Sequence, residues 1–213
     1  MVSIRRVLAG SIATARRMRI LLLFAAAVYA GSFLAGYMLV HFRVPFAVAL
    51  VDAIIGGVLE SPVFTPITGA LEGGNLGFAI AYTFLLNLSM GAFATTTLPG
   101  IIPVLGGIGS VAISGFRGFV VGLTYYYVLG ESVGLTILGL GTAVLELGAY
   151  VFSTAAGINL SLAAVFPRRY NVERRLVAFK EAWKDAARLY VLVVILLALG
   201  AVWEMTGIFL VAP

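Results

Sequence analysis

Residues 141 to 166, GTAVLELGAYVFSTAAGINLSLAAVF, are 26 consecutive mostly apolar residues that include Glu146. A helix of about 20 such residues crosses a hydrocarbon core about 30 Å thick, so the run reads as a membrane span. A carboxylate inside a span must face protein. At about 100° per residue, Glu146 shares its face with Thr142, Ala143, Ala149, Tyr150, Ser153 and Gly157, while Val144, Leu145, Leu147, Val151 and Phe152 point elsewhere. Small residues let helices approach closely and ionisable groups avoid lipid, so this small, polar face is predicted to meet neighbouring helices.

Several other runs of about 20 apolar residues recur along the chain. With 62% hydrophobic and 11% charged residues and a mean hydropathy of +1.09, a water-soluble fold could not bury its apolar surface. The expected fold is all-α, a polytopic transmembrane bundle of about five spans forming one integral membrane domain over residues 1 to 213. Cysteine is absent, which excludes disulfides, thiolate chemistry and cysteine-ligated metals. Glutamine is also absent and asparagine is limited to Asn75, Asn87, Asn159 and Asn171, a bias that points to a thermophilic source.

Residues 1 to 19 form a basic, amphipathic, cytoplasmic leader with Ile4, Leu8, Ile12 and Ala15 on one helical face. The first span is expected over residues 20 to 40. It continues past Val28-Tyr29-Ala30, a signal-peptidase-like site, and is therefore read as retained. Residues 41 to 75 read as an outer loop. Within it, residues 44 to 60 are predicted to form an interfacial or re-entrant helix with Asp52, Gly56 and Glu60 along one stripe, and residues 69 to 74 a loop.

The second span, residues 76 to 98, places Asn87 near its middle with Thr83, Gly91, Ala94 and Thr95 on the same side. Residues 99 to 110, PGIIPVLGGIGS, are expected to hold no regular helix and to form either a tight inner turn or a pore-lining re-entrant loop. The third span, residues 111 to 129, has Gly115, Gly118 and Gly122 for close packing and Tyr125, Tyr126 and Tyr127 as an interfacial belt; its Arg117 is expected to snorkel inward. Residues 167 to 188 read as a cytoplasmic basic helix, N-capped by Asn171, with Val172, Leu176, Phe179, Trp183, Ala187 and Tyr190 on one face. Nothing breaks that helix before the last span, residues 189 to 211, which carries Glu204.

Cytoplasmic loops collect Lys and Arg, and in a five-span arrangement 13 of the 14 basic residues fall on one side, with only Arg43 opposite. The localisation read from this is a multi-pass cell-membrane protein with a cytoplasmic amino terminus and an external carboxyl terminus. Asp52, Glu60, Glu72 and Glu131 then make the outer side acidic. Glu146 lies 22 residues before Arg168, about 33 Å of helix, and Glu204 lies 16 residues after Arg188, about 24 Å. Both are placed in the outer half, facing one interior space.

Asn87, Ser114-Gly115, the segment Gly141-Thr142-Ala143-Val144-Leu145-Glu146, Ala156-Gly157 and Glu204 together resemble the pattern of the stage II sporulation protein M family, over roughly residues 75 to 213. That family has an asparagine-bearing span, an Asn-Gly-containing span, a Pro-His-Gly-x-x-Glu segment, an alanine-glycine and a late glutamate. Here Gly-Thr-Ala replaces Pro-His-Gly and Ser114 replaces the second asparagine, so no role of the family's histidine carries over. The founding members act with cell-wall hydrolases during engulfment in spore formers, and many relatives occur in organisms without spores. The resemblance implies a fold more than a task.

Two functions fit these residues. The first is a non-enzymatic membrane scaffold or assembly component, with no cofactor and no nucleic acid. Its expected partners are the lipid bilayer, a protein docking on residues 172 to 188, with Val172 and Arg188 at its ends, and a second copy of the chain. The alternative is a small cation- or proton-linked permease or channel using Glu146 and Glu204, with Asn87, Thr142 and Tyr150 completing the intramembrane polar site. A structural reading competes with the second, in which each glutamate only locks helices by bonding a hydroxyl such as Thr142 or Tyr150. An enzyme is not expected. His41 lies at a membrane edge, and the chain has no HExxH motif, no paired intramembrane aspartates and no glycine-rich phosphate loop.

Overall fold

A computed structural model of the chain describes residues 4–59, 61–129 and 132–211, so Glu60 and Glu131 lie outside the described residues. Every element in it is helical: α1 (Ile4–Arg17), α2 (Arg19–His41), α3 (Pro45–Leu59), α4 (Thr65–Glu72), α5 (Leu76–Leu86), α6 (Leu105–Val128), α7 (Val133–Val165) and α8 (Arg175–Val211). α5 widens into a π-helix over Asn87–Thr97 and tightens into a 3₁₀ turn over Leu98–Ile101.

Five segments are long and apolar enough to cross a membrane: α2, the α5 helix through Ile101, α6, α7 and α8. Their outward side chains are those a lipid would solvate. Leu23, Leu34, Phe116, Val144 and Leu199 are all more than half exposed, an arrangement water would penalise and hydrocarbon would not. The spans alternate in direction. The end of α1, the start of α2, the turn after α5 and the start of α8 gather at one basic end, and α3 and α4 lie at the other.

α3, at 15 residues, rises only about 22 Å, too little to span. Its Ala47 and Val51 pack on Val40 of α2 and Leu123 of α6, which leaves Asp52 and Gly56 on the opposite, exposed face. Residues 69 to 72, expected as loop, are instead the second half of α4. Pro66 sits in the first turn of that helix, Ile67 packs on Ala79 and Met205, and Gly74, at φ 71°, ends the turn that follows. Asn75 then caps α5, its side chain accepting from Phe78 N at 3.2 Å.

The proline- and glycine-rich segment is a tight turn, and it does not re-enter the bundle. Val104, at φ 64° and ψ −65°, is the centre of a γ-turn in which Leu105 N donates to Pro103 O at 2.7 Å. Contrary to the expectation of no regular helix before residue 111, α6 begins at Leu105, because the last proline is behind it and Gly106 and Gly107 are accommodated in its first turn. The turn can sit against α7 only because Gly100 meets Gly157 backbone to backbone, and a Cβ on Gly157 would collide with Thr96 O. Gly115, in contrast, has ordinary room for a methyl group, its nearest neighbour being a Val28 methyl at 3.6 Å.

α1 lies against α8 with Ser11 and Thr14 buried; of the face the apolar spacing marked, Leu8 and Ala15 are half-buried while Ile4 and Ile12 stay exposed, so the packed face is only partly the one expected. α8 shows a similar rotation. Its buried face is Ala178, Ala182, Asp185, Ala186 and Leu189; of the expected face, Val172, Phe179, Trp183 and Tyr190 are half-buried and packed beside it, while Leu176 and Ala187 are exposed. Close approach of α1 and α7 selects the alanines, and the aspartate is buried because partners reach it. α8 also runs unbroken through the basic segment into the last span over 37 residues, about 55 Å. Asn171 is not its N-cap. It adopts the left-handed conformation, φ 55° and ψ 34°, closing the 3₁₀ turn Pro167–Tyr170, and helix begins four residues later.

Candidate functional site

The polar residues of α5 and α7 meet inside the bundle. Asn87 stands where α5 changes from α to π geometry, and its Nδ2 donates to Glu146 Oε1 at 2.6 Å. π-helical insertions concentrate at functional sites because the extra residue per turn displaces side chains from the regular helical ladder. Glu204 of α8 faces the same space. Glu146, Glu204, Asn87 and Thr83 line one cavity of about 390 Å³, with Thr68 of α4 and Met205 on its walls. Thr83 is 5% exposed, and among the described residues its hydroxyl has no hydrogen-bond partner.

Thr142, one helical turn before Glu146, is also buried, and its hydroxyl has no partner among the described residues. The expectation that a hydroxyl such as Thr142 or Tyr150 would hold the glutamate is therefore corrected: the amide of Asn87 takes that place. An amide donor reaches across the interhelical gap, which the short threonine side chain does not span.

Tyr150 has a different role. Arg117 of α6 lies over its ring, with Cζ 4.1 Å from the centroid, donates Nη1 to Gly91 O at 2.9 Å, and donates Nη2 to Thr95 Oγ1 at 3.0 Å. Arg117 thus turns into the bundle and does not snorkel to its edge, and among the described residues it forms no ion pair with Glu146. Gly91 makes this possible, since a Cβ there would stand 2.6 Å from the Tyr150 hydroxyl. Arg117 is the site residue that sequence reasoning underrated. Its signal was that Gly91 and Thr95 share a side with Asn87, and Tyr150 shares one with Glu146.

Toward the basic end the polar contacts continue. Thr96 and Ser153 hydroxyls are 2.7 Å apart, Thr97 Oγ1 donates to Ser153 O at 2.9 Å, Tyr190 OH donates to Thr97 Oγ1 at 2.8 Å, and Ser114 and Thr154 hydroxyls are 2.7 Å apart. At the end itself, Asn159 Nδ2 donates to Tyr170 OH at 2.7 Å, and Tyr170 OH donates to Asp185 Oδ2 at 2.9 Å. Asp185 also accepts from Arg188 Nη1 at 3.3 Å and pairs with Arg17. Burial, ahead of these hydrogen bonds, pushes the Tyr170 hydroxyl up from 10.0 to about 12.

A five-span helical bundle with paired polar groups between its helices and apolar side chains facing outward defines a multi-pass integral membrane protein. The model of the SpoIIM family, Stage II sporulation protein M, matches residues 20–206, and the chain belongs to that family. The match begins at the first span, well before the region from residue 75 where the motif resemblance starts. No curated protein and no solved structure matched the chain.

Proposed function

We propose that this member of the family is a non-enzymatic membrane scaffold, an assembly component that presents a rigid docking face at the end of its bundle. The observation that carries this reading is α8. Its 37 residues rise about 55 Å, so about 25 Å extends beyond a hydrocarbon core of about 30 Å. That extension is braced by α1 through Arg17 and Asp185, and it leaves Leu176 (66% exposed) and Val177 (40%) open beside Arg174 and Arg175. An apolar pair ringed by guanidinium groups suits an acidic protein partner. Basic residues gather at this end, which supports a cytoplasmic amino terminus, a cytoplasmic docking helix and an external carboxyl terminus.

A second reading, a small cation- or proton-linked permease, is favoured by one observation, the cavity that Glu146 and Glu204 share. Reconstitution separates the two. On the scaffold reading, liposomes carrying the protein pass protons, Na⁺, K⁺ and Ca²⁺ no faster than empty ones, and a photo-crosslinker at Leu176 captures a discrete partner in cells whose yield falls with Arg174→Glu and Arg175→Glu. Cation flux that Glu146→Gln abolishes would replace the scaffold reading with the permease.

A further inference from the structure

A second cavity, of about 340 Å³, opens at the basic end, where the junction of α1 and α2 meets α7, the 3₁₀ turn Pro167–Tyr170 and α8. Its size falls within the range of about 300–1,000 Å³ usual for small-molecule sites. Its walls are of two kinds. Met18, Ile20 and Leu21 form an apolar side, with Ile20 75% exposed, whereas Arg17, Arg169, Asn159 and Tyr170 supply polar groups. The first span begins at these residues, so the cavity lies at the boundary between hydrocarbon and lipid headgroups.

The hydrogen bonds around Asn159 fix what the cavity presents. Tyr170 OH spends its one proton on Asp185 Oδ2, so its oxygen can only accept, and Asn159 must offer it Nδ2. The Asn159 amide oxygen therefore faces away from Tyr170, and it accepts from nothing among the described residues. Asn159 is 4% exposed, yet this oxygen is not one of the sealed, unpartnered polar atoms of the interior, which are the hydroxyls of Tyr29, Thr83 and Thr142. It keeps accessible surface in the cavity that Asn159 lines, and a buried amide oxygen so placed calls for a donor.

Charge gives a second, independent observation. Arg17 pairs with Asp185, while Arg169 is exposed and forms no ion pair among the described residues. The cavity thus carries one guanidinium beyond what its carboxylate neutralises. A guanidinium fork matches phosphate oxygens with two parallel N–H···O bonds. One excess positive charge fits one phosphodiester, and the open Asn159 oxygen fits a hydroxyl carried beside it. A free phosphate compound would leave the Met18, Ile20 and Leu21 side unmatched, whereas a lipid lays its acyl chains there.

We propose that this cavity binds an anionic glycerophospholipid with a hydroxylated headgroup, of the phosphatidylglycerol class. Its phosphate sits on Arg169 and Arg17, a headgroup hydroxyl donates to Asn159 Oδ1, and its acyl chains run along Ile20 and Leu21. A lipid held in this way joins α2, α7 and α8 at the end where α8 leaves the bilayer. The site requires neither the scaffold nor the permease, because a chain that spans the membrane meets this headgroup layer in either case.

The test is thermal unfolding of the full chain in dodecyl maltoside micelles with added lipid at about 0.15 M salt, followed by tryptophan fluorescence. Dioleoyl phosphatidylglycerol is expected to raise Tm saturably, at a lipid fraction about tenfold below that needed for phosphatidylcholine or phosphatidylethanolamine with the same chains. Dioleoyl phosphatidylmethanol, which has the charge without the hydroxyls, should need about three times more lipid than phosphatidylglycerol, and it tests the Asn159 contact without disturbing Tyr170. Soluble glycerol phosphate should leave Tm unchanged. Arg169→Gln removes no hydrogen bond or ion pair of the described residues, so it should fold as the wild type does while weakening the phosphatidylglycerol response about fivefold. Arg6→Gln, on α1 outside this cavity, should leave that response as it is. Equal responses to phosphatidylglycerol and to either zwitterionic lipid, or to phosphatidylglycerol and phosphatidylmethanol, would overturn the site. Equal weakening by Arg6→Gln and Arg169→Gln, or a glycerol phosphate response as large as the lipid's, would do the same.

Discussion

Asp185 is the buried charge on which the basic end depends, and removing it should be felt by three helices at once. Its side chain is 3% exposed and is held by Arg17 from α1, by Arg188 one turn along α8 and by the Tyr170 hydroxyl, which in turn accepts from Asn159 of α7. In Asp185→Ala the two arginines, 57% and 51% exposed, regain water, so each pair counts at roughly the surface value of 0–1 kcal/mol. The Tyr170 hydroxyl loses its only acceptor among the described residues, at about 1–2 kcal/mol, and the vacated volume adds a fraction more. The expected loss is therefore about 2–4 kcal/mol. Asp185→Asn keeps an oxygen for Tyr170 and should lose about half as much, and Arg17→Ala should cost no more than about 1 kcal/mol. Reversible unfolding in mixed micelles measures this, with Trp183 as reporter because it packs at the junction of α1, α7 and α8. A loss below about 0.5 kcal/mol for Asp185→Ala, or equal losses for the Ala and Asn variants, would mean that Asp185 does not hold the three helices together.

Three further outcomes follow from named contacts. The Tyr170 hydroxyl is raised by burial to about 12, so the folded state keeps its proton above the unfolded value of 10.0. Its effect on stability is absent below pH 10 and becomes a loss between about pH 10 and 12, where only the unfolded chain ionises; Tyr170→Phe should flatten that part of an alkaline melting profile, and an unchanged profile would count against the assignment. Gly157→Ala should destabilise by about 1–3 kcal/mol through collision with Thr96 O, while Gly148→Ala, whose Cβ would find only a Leu196 methyl at 3.8 Å, should leave stability unchanged or raise it by up to about 1 kcal/mol; thermal melts of the two should move in opposite directions. Val104→Gly should gain about 1 kcal/mol by relieving a β-branched residue at φ 64°, and a loss would mean that the side chain anchors the turn.

Much of this architecture was legible because lipid leaves so few alternatives. The inward face of α7 was readable from the contrast of Thr142, Ala149, Tyr150, Ser153 and Gly157 with Val144, which is 71% exposed. The family was legible as well, from Asn87, Glu146, Ala156-Gly157 and Glu204. What could not be read was register between distant helices. That Asn87 meets Glu146, 59 residues away, and that Arg117 folds inward over Tyr150 depend on how α5, α6 and α7 are phased about one another. Periodicity also marked only part of the docking faces of α1 and α8, catching Ala15, Phe179 and Trp183 but not their buried centres. It marks large apolar side chains, whereas close helix packing chose Ser11, Thr14, Ala178 and Ala182 and turned Ile4, Ile12 and Leu176 outward. In a membrane an outward Leu is no penalty, so hydrophobic spacing stops reporting which face is buried.

In the topology proposed above, the chain crosses the membrane an odd number of times with its basic end in the cytoplasm. The chain has no cysteine, and Glu72 and Glu173 are both exposed, on opposite sides of the three spans Leu76–Ile101, Leu105–Val128 and Val133–Val165. Glu72→Cys and Glu173→Cys can therefore be probed in intact cells with a membrane-impermeant maleimide. Position 72 is expected to label without lysis and position 173 only after permeabilisation. Labelling of position 173 from outside, or of both positions from one side, would contradict it.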